Sequence, residues 1–123
     1  LSAIKTKNLL SILKNPEFNR VKVIGIDESQ FFKDLYDFVL KCEELGKSVI
    51  ISGLDGDSDR KPFGQILNCI PLCDNVIKLK AFDMIDKNGT EAIFTKRLSH
   101  DTNQVSVGST DKYISVSRKN YIT

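Results

Sequence analysis

Residues 21–54 read VKVIGIDESQFFKDLYDFVLKCEELGKSVIISGL, and their rhythm decides the fold. Val21–Ile26 is a short, β-branched run of near-continuous apolarity, the pattern of a strand buried on both faces in a parallel sheet. Leu35, Phe38, Val39, Cys42 and Leu45 then recur on one helical stripe, and Gly46 stands where a C-cap glycine belongs. Ser48–Leu54 repeats the buried-strand pattern. Strand, helix and strand within about thirty residues make a βαβ unit, the building block of an α/β domain.

Working outward, residues 2–14 place Ile4, Leu9, Ile12 and Leu13 toward one helical face, with Ser2 as cap and Asn15-Pro16 as the stop. Beyond the unit, Asp55–Lys61 is a polar loop, and Pro62 suits the first turn of a helix running to about Cys69. Val76–Met84 reads as a third strand. Asn88-Gly89 is a tight hairpin signal, with Glu91–Lys96 as the return strand. Leu98–Thr110 reads as a long loop and Lys112–Ser117 as a closing strand. The texture changes near Lys80, which divides an α/β part (residues 1–80) from a small β part (residues 81–123).

Composition narrows the function. With 18 Lys+Arg against 16 Asp+Glu, the net charge of +2 is too small to argue for nucleic acid or an acidic membrane surface. No apolar run approaches the roughly 20 residues needed to span a bilayer. No basic start followed by an apolar stretch marks a secretory signal. Three cysteines, Cys42, Cys69 and Cys73, argue against a disulfide framework and fit a reducing compartment. The expectation is a cytoplasmic protein that binds neither nucleic acid nor membrane.

The first chemical signal is Val23–Glu28, an apolar strand ending in an acidic pair, the pattern of a Walker B segment. Ligands of an open parallel sheet sit beyond the carboxyl ends of its strands. An Asp there can hold Mg²⁺ beside nucleotide phosphates, and a neighbouring carboxylate can act as general base. Successive side chains of a strand point to opposite faces, so the chain must bend here if both acids are to serve one site. The plainer reading is a strand that ends in polar residues. A phosphate-cradling Gly-x-x-x-x-Gly-Lys-Ser/Thr loop does not occur in the 123 residues. Either such a loop precedes Leu1, or a triphosphate is not bound in the usual manner.

Taken in order, IDESQFF (26–32), LDGDSDRKPFG (54–64), Thr95-Lys96-Arg97 and Asp111-Lys112-Tyr113 resemble the type II thymidine kinases over nearly the whole chain. The resemblance implies a P-loop NTPase (RecA-like) core with a small C-terminal lasso domain. It implies transfer of the γ-phosphoryl of ATP to the 5′-hydroxyl of thymidine, provided a P-loop segment precedes Leu1. Carried over by motif, Asp27 is the Mg²⁺-side acid and Glu28 the base. Phe31, Leu54 and Phe63 shape a slot for the thymine ring. Thr95 lies near the base and Tyr113 near the sugar, with a packed strand residue as the alternative for Tyr113. Arg60 faces phosphates or holds its loop. The lasso corresponds to Gln104–Ser109, including Ser106 and Gly108, and reads the base through backbone groups. Feedback by thymidine triphosphate (dTTP) and a homotetramer also follow from the resemblance. The alternative is a non-catalytic, kinase-like regulatory or tandem subunit.

The chain departs from the family at one place. The family's lasso is usually held by zinc on four cysteines, and the matching positions are Asp83, Asp86, Ser117 and Asn120. Cys69, Cys73 and His100 do not make a zinc set. The expectation is a module without zinc, held by a two-residue hairpin at Asn88-Gly89, with Asp83 and Asp86 flanking turns or solvated.

Overall fold

A computed structural model describes residues 3–98 and 113–123. The chain divides into two compact units, Leu1–Asp55 with Pro62–Asp74, and Gly56–Lys61 with Asn75–Thr123.

The first unit is built on the βαβ element. Strands β1 (Val23–Ile26) and β2 (Ser48–Ile51) pair in parallel with Val23 opposite Ser48 and Ile26 opposite Ile51. Two five-residue helical pieces precede them, a 3₁₀ turn at Leu10–Lys14 and helix α1 (Pro16–Arg20). The helix expected over residues 2–14 therefore shrinks to one turn. Asn15-Pro16 is a stop, as expected, and also a start: Asn15 N donates to Ile12 O at the end of the 3₁₀ turn, the Asn15 side chain accepts from Glu17 N at 2.9 Å, and Pro16 sits in the first turn of α1, where its missing N–H costs nothing. Helix α2 (Leu35–Glu44) crosses between the strands. It buries Leu35, Phe38 and Cys42 against Leu9, Phe18, Ile26 and Cys69. Leu45, expected on the stripe, is 48% exposed because the helix has already ended. Gly46 N donates to Glu43 O and Lys47 N to Cys42 O, which is the Schellman stop, with Gly46 at φ 71°. Burial raises the Cys42 and Cys69 thiols above their ordinary pKa, as befits packing groups. After Pro62 the expected helix appears only as a 3₁₀ segment, Leu67–Leu72, displaced toward the C-terminus.

The second unit holds two antiparallel pairs. Strand β3 (Ala81–Phe82) pairs with β4 (Glu91–Ala92), and β5 (Phe94–Arg97) with β6 (Tyr113–Val116). Helix α3 (Arg118–Ile122) follows, capped by Ser117. The long strand expected over 76–84 survives only as β3. The turn between β3 and β4 runs from Asp83 to Thr90, so it is not a two-residue hairpin. Its Asn88 Oδ1 instead accepts from Thr90 N and Oγ1, an Asx turn inside a longer loop. Ser115 Oγ donates to Phe82 O at 2.7 Å and Met84 N to Ser115 O, which ties the first pair to the second. Among the described residues no helix is long and apolar enough to cross a membrane.

Candidate active site

The end of β1 is anchored before any acid appears. Ser52 N donates to Ile26 O and Ser29 N to Ser52 O, both at 3.0 Å, which ties Ser52, one residue past β2, to the end of β1 and to Ser29, three residues past it. The Ser29 hydroxyl, fully buried, donates back to Ile26 O. Asp27 and Glu28 lie between these anchors, both exposed. Glu28 takes the left-handed conformation, φ 51° and ψ 45°. For an L-residue this costs of order 1–2 kcal/mol, and it supplies the bend that breaks the strand's alternation of faces. Asp27 Oδ1 accepts from Glu28 N and from the Ser52 hydroxyl, both at 3.0 Å. The Asp27 carboxylate therefore stands at a strand's carboxyl end, exposed and braced through one oxygen. That donor fits a hydrated Mg²⁺, a hard cation that takes oxygen ligands.

Beside the acids lies an apolar surface. Phe31 and Phe63 meet edge to face, with ring centroids 5.6 Å apart and planes at 90°. Phe63 is buried while Phe31 is 51% exposed and Leu54 47% exposed, so a fixed ring supports two apolar groups open to a ligand. Leu54 N donates to Gln30 Oε1 at 3.1 Å, and Gln30 Nε2 donates to Glu28 Oε2 at 2.7 Å. Gln30 was not singled out from sequence. Its only signal was its place two residues beyond the acidic pair.

The remaining candidates belong to the second unit. The Arg60 guanidinium lies 4.6 Å from the Tyr121 ring centre and 5.3 Å from that of Phe94. The Tyr121 hydroxyl donates to Ser58 O at 2.6 Å. These are the contacts of a residue that holds its loop. Thr95 is half-buried in β5 opposite Ser115. Tyr113 begins β6 opposite Arg97, whose guanidinium is 5.5 Å from its ring. The Tyr113 hydroxyl is buried and finds no hydrogen-bond partner among the described residues. Ser106 and Gly108, with the whole stretch Gln104–Ser109, lie outside the described residues.

Asp83 flanks the β3–β4 turn, one of the two expected placements, but it is 1% exposed and so not solvated. Its carboxylate accepts from the Asn120 side chain, from Ser117 N and Asp86 N, both at 3.3 Å, and from Ile85 N at 3.5 Å. Burial by itself would raise its pKa, but these donors outweigh burial and hold it below the usual carboxylate range. Asp83 thus gathers Asp86, through its backbone, with Ser117 and Asn120.

The sequence model of the family described as "Thymidine kinase" matches residues 1–121. The chain is 48% identical over 107 residues to "Thymidine kinase a" of Arabidopsis thaliana, an overlap of 86% of this chain and 44% of that protein. It is 48% identical over 101 residues to "Thymidine kinase, cytosolic" of Homo sapiens, covering 82% of this chain and 42% of the other. It is 44% identical over 120 residues to the thymidine kinase of Vaccinia virus (strain Western Reserve), covering 98% and 66%. The chain thus spans less than half the length of the plant and human relatives.

Proposed function

The chain belongs to the thymidine kinase family, and from that premise we propose that it takes part in moving the γ-phosphoryl group of ATP to the 5′-hydroxyl of thymidine. The observation that carries this reading is the bend at Glu28, which sets two exposed carboxylates at the carboxyl end of a parallel strand beside the Phe31–Phe63 pair. Glu28 accepts the 5′-hydroxyl proton as the oxygen attacks the γ-phosphorus, the bond from phosphorus to the β,γ-bridging oxygen breaks, and ADP leaves. Asp27 would hold Mg²⁺ through water. When bound, that ion neutralises charge on the phosphates. Phe31, Leu54 and Phe63 give a flat base apolar area without polar demands.

In the same reading, the β1–β2 pair is part of a P-loop NTPase-type sheet, and no residue of this chain is assigned the phosphate cradle. Residues 81–123 form the lasso module. Tyr113, whose hydroxyl has no partner among the described residues, serves the sugar; Thr95, Ser106 and Gly108 serve the base, and Arg60 supports its loop. The Asp83 cluster does the joining work of a zinc, so the module needs none. Feedback by dTTP, a homotetramer and a cytoplasmic location complete the proposal. Thymidine phosphorylation measured on the full-length protein and on Glu28→Gln tests it. Loss of a general base costs about 10²- to 10⁴-fold in rate. Wild-type turnover in Glu28→Gln removes Glu28 as the base.

A further inference from the structure

Gln30 is 3% exposed, and its side chain touches both halves of the proposed site. Its Nε2 donates to Glu28 Oε2 at 2.7 Å and its Oε1 accepts from Leu54 N at 3.1 Å. The residues joined this way are 26 positions apart in sequence and come from the ends of two different strands. Two glycines leave room for Gln30, Gly53 for its side-chain amide and Gly64 for its backbone. A Cβ on Gly53 would strike Gln30 Oε1, and a Cβ on Gly64 would strike the Gln30 carbonyl. Glu28 itself sits in a left-handed conformation that its own side chain does not favour, so its carboxylate needs an external restraint to keep one orientation.

We propose that Gln30 is a positioning residue, which aims the Glu28 carboxylate and at the same time fixes the backbone of Leu54 at the base slot. This rests on the reading of Glu28 as the base. The amide suits the task because it donates at one end and accepts at the other, whereas a carboxylate could serve only Leu54. Coupling both groups through one rigid side chain holds the hydroxyl acceptor and the slot in register, and small misplacements of such groups are costly in rate.

The test is steady-state kinetics with thymidine and ATP on the full-length protein, with thermal unfolding of each variant. Gln30→Glu keeps volume and the acceptor for Leu54 N but loses the donor to Glu28. Its kcat falls roughly ten- to a hundredfold, the loss carried by one hydrogen bond to a charged group, while the thymidine KM stays near wild type. Gln30→Met loses both bonds, so kcat falls and KM rises. Should Gln30→Met not fold, the Gln30→Glu split between kcat and KM carries the test. Should Gln30→Glu not fold either, Gly53→Ala carries it by displacing Gln30 Oε1, and the same fall in kcat is expected. An inactive Glu28→Gln together with wild-type kcat in folded Gln30→Glu overturns the inference alone. Wild-type kcat in Glu28→Gln overturns the base reading and the inference with it.

Discussion

Gly46 and Gly64 make a matched pair of perturbations. Both hold left-handed backbone, φ 71° and 61°, and both lie in the first unit. Alanine in that conformation costs about 1–2 kcal/mol, partly offset by about 0.4–1 kcal/mol because alanine narrows the unfolded ensemble. At Gly46 nothing lies within 4 Å of a new Cβ, so the backbone cost is the whole effect. Gly46→Ala should lose no more than about 1.6 kcal/mol. At Gly64 the new Cβ would overlap the Gln30 carbonyl and stand 3.1 Å from Gln30 Cα. Those atoms are backbone and cannot swing aside, so the chain must shift, which adds about 1–3 kcal/mol. Urea unfolding followed by circular dichroism should place Gly64→Ala below Gly46→Ala by that difference. Thymidine phosphorylation adds a second reading. The shift at Gly64 moves Gln30 and with it the Glu28 restraint, so Gly64→Ala loses turnover while Gly46→Ala keeps it. Equal stability losses in the two variants would refute the steric argument.

Asp83 and Arg60 give sharper local tests. The Asp83 carboxyl is held below its ordinary range when folded, so its contribution to stability is complete above about pH 4 and is lost as pH falls through the folded value. Unfolding measured from pH 7 down to pH 2.5 should show that acid step in the wild type, and Asp83→Asn should be less stable at neutral pH and lack the step. Arg60→Lys keeps the charge but loses the guanidinium's contact with the Tyr121 and Phe94 rings, so it should lower stability by about 0.5–1 kcal/mol. Wild-type stability in Arg60→Lys contradicts a loop-support role.

The parts of the fold that were legible in sequence depend on local rules. The β-branched run, the apolar stripe of α2 and the Gly46 stop each follow from residues within a few positions of one another, and all three appear, but β1 and β2 are not buried on both faces as expected: Val23 is 58% exposed and Ile50 64%. The failures have local causes too. The Asn15-Pro16 stop holds, but Leu9 reaches the core from outside any helix, so the periodic apolar pattern before the stop does not mean one long helix. Asn-Gly drew attention to a two-residue turn, but Asp83 decides the loop, because it draws Ile85 N and Asp86 N inward and leaves Asn88-Gly89 at the far end.

Gln30 and Asp83 were illegible for a common reason. Each is a polar residue whose burial is bearable only because donors or acceptors arrive from distant sequence, Leu54 for Gln30, and Ser117 and Asn120 for Asp83. Without those partners the same residues would have to face water, which is where a sequence reading puts them. Their polarity therefore carries structural information only once the topology is known. The dependence also runs the other way. A buried amide or carboxylate satisfied from several segments penalises any packing that separates those segments, since each lost partner leaves a polar group dry and unpaired. Gln30 does this for the ends of β1 and β2, and Asp83 for the β3–β4 turn and the junction of β6 with α3. A Leu at either position would bring apolar area but no such penalty, and would leave those junctions free to drift.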